Sequence, residues 1–162
     1  MSAGDWESFY TAQLGAAAAL GGLVFVGLSL NLKKILSYPW LPGRALLALM
    51  VLMTILIISS FMLMPGQSLT LLGIEVAAVG FILFVVGTGM EVNALRRVTL
   101  QNRNAFIANL IVLELGVLPY VLGGVLLLLG DASGFYWIAA GVIISFIKAV
   151  MDAWVLLVEI NR

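Results

Sequence analysis

The sequence predicts an all-α polytopic membrane protein, a bundle of five transmembrane helices. Three observations predict it. Hydrophobic residues make up 63% of the 162 and charged residues only 10%, whereas soluble domains run at roughly 45–50% apolar and about 25% charged. A soluble chain of this size has no core large enough to hide that much apolar surface. Five stretches reach the roughly 20 mainly apolar residues that a bilayer crossing needs. The charges of the short segments between them alternate along the chain.

Taken in order, the first span runs from about 13 to 32, ahead of Lys33 and Lys34. It is preceded by Asp5, Trp6 and Glu7. A cleaved signal peptide opens on basic residues, so this acidic start is expected to lead into a retained helix. The second span covers about 45–64 and stops at Pro65 and Gly66. The third covers about 69–90, the fourth about 105–129 with Pro119 inside, and the fifth about 135–158. All five belong to a single transmembrane domain, 1–162, in contact with the lipid bilayer. Proline removes a backbone hydrogen bond and crowds the preceding turn, so a kink is expected at Pro119.

The first connection carries Lys33, Lys34 and Arg44, the second no charge, the third Arg96, Arg97 and Arg103 against Glu91, and the fourth only Asp131. Positive loops stay cytoplasmic. The N-terminus is then expected outside and the C-terminus in the cytoplasm. Trp6, Phe9, Tyr10, Tyr136 and Trp137 are expected at the outer interface, and Tyr38, Trp40 and Trp154 near the inner one, the depth that amphipathic rings favour. No inverted repeat divides the spans, so the architecture of repeat-built transporters gains no support.

Membrane helices approach one another through small residues. In the first span Gly15, Ala18, Ala19, Gly22, Val26 and Ser29 share a face, with Leu20, Val24 and Leu28 opposite. The small face is expected against a neighbour and the Leu/Val face against lipid. The third span repeats Gly73, Gly80 and Gly87 at seven-residue intervals, and the fourth places Asn109, Gly116 and Gly123 likewise. Such stripes suit left-handed crossing at about +20°, and these two helices are expected to pack against each other.

The fifth span carries a polar line. Gly141, Ser145, Lys148, Asp152 and Glu159 fall within about 40° of one line along a helix of 3.6 residues per turn, with Ile143, Phe146, Val150, Trp154 and Leu157 opposite. A charge facing lipid at mid-depth costs roughly 2.5–3.5 kcal/mol on insertion scales, so this line must face protein or water. Lys148 and Asp152, spaced i, i+4, can pair on their own helix. Glu114 lies about 14 Å into the fourth span, with no base within a turn of it. Its expected partner is Lys148, and the alternative is a neutral carboxyl. Glu75 lies about 10 Å into the third span and is expected either neutral or lining an aqueous vestibule. Ionisable residues inside a membrane are candidates for ion and proton pathways, and the alternative is a structural pair that fixes helix register. Glu114, Lys148, Asp152, Ser145 and Glu75 form the candidate set.

Several function classes are excluded. The chain has no Cys and no His, which removes disulfides, thiolate metal sites, haem attachment and His-based catalysis. No nucleophile elbow, metalloprotease or phosphate-loop motif is present. No enzyme activity, cofactor or metal is therefore expected. No basic stripe suggests nucleic acid, and Arg96, Arg97 and Arg103 of the third connection are expected to set topology, the alternative being contact with anionic lipid headgroups.

The opening Gly4-Asp5-Trp6-x-x-Phe9, the run Gly15 to Leu20 and the run Gly22 to Leu32 resemble a family of small uncharacterised bacterial multi-pass inner-membrane proteins, mainly over residues 4–35. The resemblance implies a bacterial cytoplasmic membrane and carries over no functional residue. The expected function is ion permeation by a homo-oligomer, lined by the fifth helix or the Ala/Gly-rich first. The alternative is a non-conducting accessory or regulatory subunit held by partner membrane proteins.

Overall fold

A computed structural model of the chain describes residues 6–97 and 103–158. Six helices follow one another: α1 (Glu7–Leu30), α2 (Leu32–Leu36), α3 (Leu41–Leu63), α4 (Leu69–Arg97), α5 (Arg103–Leu128) and α6 (Gly134–Leu157). All but α2 are long and apolar enough to cross a membrane. The protein is an integral membrane protein built as a five-helix bundle, and the described residues contain no strand. Large apolar side chains such as Phe25, Phe81, Ile82, Leu122, Ile143 and Ile147 are exposed around its girth. In water such a surface would drive association; here it faces acyl chains.

The helices stop for local reasons. Met64 is extended (φ −71°, ψ 121°) ahead of Pro65, because the proline ring disfavours a helical residue before it. Gly66 (φ 75°) and Gly130 (φ 80°) adopt the left-handed turn conformation that glycine tolerates. Pro42 sits in the first turn of α3, where a missing amide hydrogen costs nothing. α5 continues through Pro119, which is buried.

α3, α4, α5 and α6 close a ring in that order, with α6 returning to α3, and α1 lies outside in the groove between α3 and α6. The ring interior is packed by Leu47, Val51 and Ile55 of α3, Val76 and Leu83 of α4, Leu113 and Val117 of α5, and Val142 of α6. Gly73 and Gly80 bring α4 against α5. A Cβ on Gly73 would stand 2.7 Å from the Gly124 carbonyl oxygen, and one on Gly80 2.7 Å from Tyr120 Cβ.

Of the packing expectations, one holds and one is corrected. α4 and α5 do pack together as expected, though their small-residue stripes do not face each other. Gly116 closes on Ser145 and Gly123 on Gly134 and Ile138, all of α6, while Gly124 is the residue that meets α4. Adjacent helix positions point about 100° apart, so a helix between two neighbours uses Gly123 for one and Gly124 for the other. α1 is rotated away from the expected orientation. Gly15, Ala18, Ala19, Gly22, Val26 and Ser29 are exposed, and Tyr10, Ala17 and Val24 are buried, with Leu20 and Leu28 packed against the core. The aromatic end fixes this rotation. Tyr10 is fully buried, not interfacial, and Trp6 stacks on Phe135 at 6.3 Å and meets Tyr136 edge-on at 5.0 Å.

Candidate functional site

At the end of the bundle that carries Lys33, Lys34, Arg96 and Arg103, four helices each send polar groups into the ring. α3 contributes Arg44, α4 Glu91, α5 Asn109, and α6 both Lys148 and Asp152. Asp152 Oδ1 accepts from Arg44, with Nε and Nη2 each at 3.0 Å. Its other oxygen accepts from Lys148 Nζ. Lys148 Nζ also lies 4.0 Å from Glu91 Oε1, the same oxygen that accepts from Asn109 Nδ2. Arg44 Nη2 reaches Asn109 Oδ1 at 3.4 Å. The five side chains form a closed circuit of two cations, two anions and one amide.

Burial makes the circuit consequential. Lys148 and Asp152 are 1% and 0% exposed. Glu91 is 5% exposed and Asn109 9%, and Arg44 is the most open at 19%. An isolated charge at this depth is costly. A neutral set of two ion pairs, with an amide filling the remaining valences, removes most of that cost without giving much net stability. Lys148 lies roughly 14 Å inside the end of α6 at 1.5 Å per residue. A cavity of about 30 Å³, lined by Trp40, Gly43, Arg44, Met90, Glu91 and Phe106 among others, opens beside the circuit. It is large enough for a water molecule and has two charged side chains to hold one. Trp40 and Phe106 meet edge to face at 5.9 Å at its rim.

Four members of the expected line of α6 are brought together on the ring side: Gly141, Ser145, Lys148 and Asp152 are all buried. Ile143, Val150 and Trp154 on the opposite face are exposed. Glu159 lies outside the described residues. The expected Lys148–Glu114 pair does not form. Glu114 sits half-buried on the outer flank of the α4–α5 seam, where Thr88 Oγ1 donates to its Oε1. Its Oε2 is buried with no partner among the described residues. Adjacent Leu113 takes the ring-facing position, and a single residue turns Glu114 away from α6. Glu75 is half-buried, and Gln67 of the α3–α4 loop donates to it.

Arg44 and Glu91 were expected in connections, each one residue beyond a span, because hydropathy falls at a charge. α3 begins three residues before Arg44 and α4 continues six beyond Glu91. A signal for Glu91 exists in the sequence. It stands one turn past Gly87 and extends the Gly73–Gly80–Gly87 stripe, just as Asn109 begins the Gly116–Gly123 stripe. Both stripes end in a polar residue at the same end of the bundle.

A second group of polar atoms lies deeper. The hydroxyls of Tyr10, Ser59, Tyr120 and Ser145 are buried. Those of Tyr10 and Ser59 make no hydrogen bond among the described residues, and those of Tyr120 and Ser145 have at most each other as a partner, although a buried hydroxyl without a partner costs about 1–3 kcal/mol. No cluster of three or more metal-ligating side chains occurs among the described residues. The chain matches no family model, no curated protein and no solved structure, so the chemistry of these side chains stands by itself.

Proposed function

We propose that the protein is a small, non-enzymatic ion-permeation protein of the bacterial inner membrane, assembling as a homo-oligomer, in which the Arg44–Glu91–Asn109–Lys148–Asp152 circuit is the charge-sensitive gate. The supporting observation is a circuit of four compensating charges and one amide, largely buried among four helices beside a water-sized cavity. Apolar residues of similar volume would hold four helices together at least as well, so stability alone is a weak reason to keep four charges there. Internal compensation leaves Glu91 and Asp152 able to exchange Lys148 or Arg44 for an arriving cation. The alternation of loop charge supports an outer N-terminus and a cytoplasmic C-terminus, which puts the gate in the cytoplasmic half.

The test is flux of H⁺, K⁺ and Na⁺ into liposomes holding the purified protein. Wild-type flux should exceed protein-free vesicles, and Glu91→Gln and Lys148→Met should each change it about tenfold, equivalent to about 1.4 kcal/mol in the barrier. Wild-type flux no higher than that of empty vesicles, or flux untouched by both substitutions, overturns the reading. A second reading, an accessory subunit of a larger assembly, rests on the exposed small face of α1. Gly15, Gly21 and Gly22 have open space where a Cβ would stand, which suits close approach by a foreign helix. Stable co-purification with another membrane protein, without flux, would favour it.

A further inference from the structure

Resting on the permeation reading, we infer that the species carried is the proton, and that its route runs through the interior of a single bundle along Tyr10, Tyr120 and Ser145 to the ionic circuit. The three hydroxyls come from α1, α5 and α6 and are 0–2% exposed. The Tyr10 hydroxyl makes no hydrogen bond among the described residues, and those of Tyr120 and Ser145 have at most each other as a partner. They are spaced in depth. Counted from the end of the bundle opposite the circuit, Tyr10 lies about 5 Å in, Tyr120 about 12 Å, Ser145 about 17 Å and Lys148 about 21 Å, at 1.5 Å per helical residue.

They are also neighbours. The Tyr10 and Tyr120 hydroxyls lie within electrostatic reach of each other, and Tyr120 faces Ser145. The two helices that carry Tyr120 and Ser145 are held close by glycine. A Cβ on Gly141 would lie 2.9 Å from the Tyr120 ring, and one on Gly116 2.9 Å from Ser145 Oγ. Ser145 and Lys148, three residues apart, share a face of α6. Glu91 and Asp152 are the carboxylates of the circuit, and the cavity beside Glu91 is also lined by Arg44 and Trp40.

A hydroxyl both donates and accepts, so each can take a proton on its oxygen lone pair while releasing its own to the next group. No bond other than O–H is made or broken, and every hydroxyl is regenerated. Water entering among these hydroxyls bridges gaps between them. The proton ends on a carboxylate oxygen of Glu91 or Asp152, which weakens its hold on Lys148, and leaves through the cavity water. A hydrated metal cation has no such route: the packed interior around Tyr120 leaves no room for its shell.

The experiment measures proton flux with an internal pH dye, and K⁺ and Na⁺ flux in parallel, on liposomes of wild type, Tyr120→Phe and Ser145→Ala. Phe keeps the ring that packs on Gly141, and size-exclusion profiles and helical circular dichroism check the fold. Wild type should pass protons and not K⁺ or Na⁺, and each variant should lower proton flux at least tenfold with the fold intact. Proton flux unchanged in both well-folded variants, or a wild type that passes K⁺ or Na⁺, overturns the hydroxyl route and leaves the permeation reading standing. A wild type that passes no ion overturns both. Should Tyr120→Phe misfold, Ser145→Ala decides alone by the same criterion.

Discussion

Two glycine-rich regions of this bundle look alike in sequence and behave oppositely. In the ring, Gly73, Gly80, Gly123 and Gly124 sit where an added Cβ would strike neighbouring backbone or Cβ atoms within 2.8 Å. On α1, Gly15 and Gly22 meet nothing within 4 Å. The ring helices also carry compensated buried charge, and α1 carries none in its described span. Small residues let helices approach, but they do not compel it. What locks the ring is mutual: Gly73 and Gly124 meet each other's backbone, as do Gly123 and Gly134, and the buried charges fix the register. α1 has only one matched face, Tyr10–Ala17–Val24, and its small face is left outside.

The largest expected effect falls on the ring charges. Lys148→Met leaves Asp152 and Glu91 with Arg44 as their single cation and should destabilise the bundle by about 3–5 kcal/mol, read as a loss of thermal stability in detergent. A double variant, Lys148→Met with Glu91→Gln, restores neutrality and should recover part of that loss; no recovery would mean the circuit is not energetically coupled. Next comes Gly124→Ala, whose Cβ would stand 2.7 Å from the Ala77 amide nitrogen. Parting α4 from α5 should cost about 1–3 kcal/mol. Gly22→Ala on α1 should cost nothing, and could gain up to about 1 kcal/mol from helix propensity. If Gly22→Ala destabilises an oligomer while leaving the protomer intact, the exposed face is an interface and the contrast between the two regions narrows.

The smallest effect lies outside the membrane. Asp131 accepts hydrogen bonds from Ser133, whose backbone N–H stands 2.8 Å from Oδ1, and these hold its carboxyl below the ordinary aspartate value. A depressed folded value means a contribution present above the ordinary value and lost as pH falls through the depressed one. The acid limb of a melting-temperature profile should therefore flatten slightly in Asp131→Asn. The group is fully exposed, so the change should be smaller than those in the ring.

Part of the site was legible in the chain. Lys148 and Asp152 declare themselves by their spacing and by the apolar face opposite, and the structure buries both. Arg44 and Glu91 were hidden by a rule of thumb that ends a span at its first charge, although a charge compensated inside the bundle can continue one. Depth alone pairs Glu114 with Lys148, and depth says nothing about rotation. Tyr10 reads as an interfacial ring because it is aromatic and near a helix end; in the structure it is fully buried, with Trp6 and Phe9 packed against it.

By itself the sequence determined the number of membrane helices, the class of fold and the existence of a polar line on α6. Hydropathy over 20 residues and a 3.6-residue period are local properties of the chain. Tertiary structure alone decided which face of α1 is buried, which glycine of α5 serves which neighbour, and which acid meets which base. In lipid an apolar face against acyl chains and one against protein differ little in free energy. The choice between them is made by shape and by pairing across helices distant in the chain, and no local pattern encodes either.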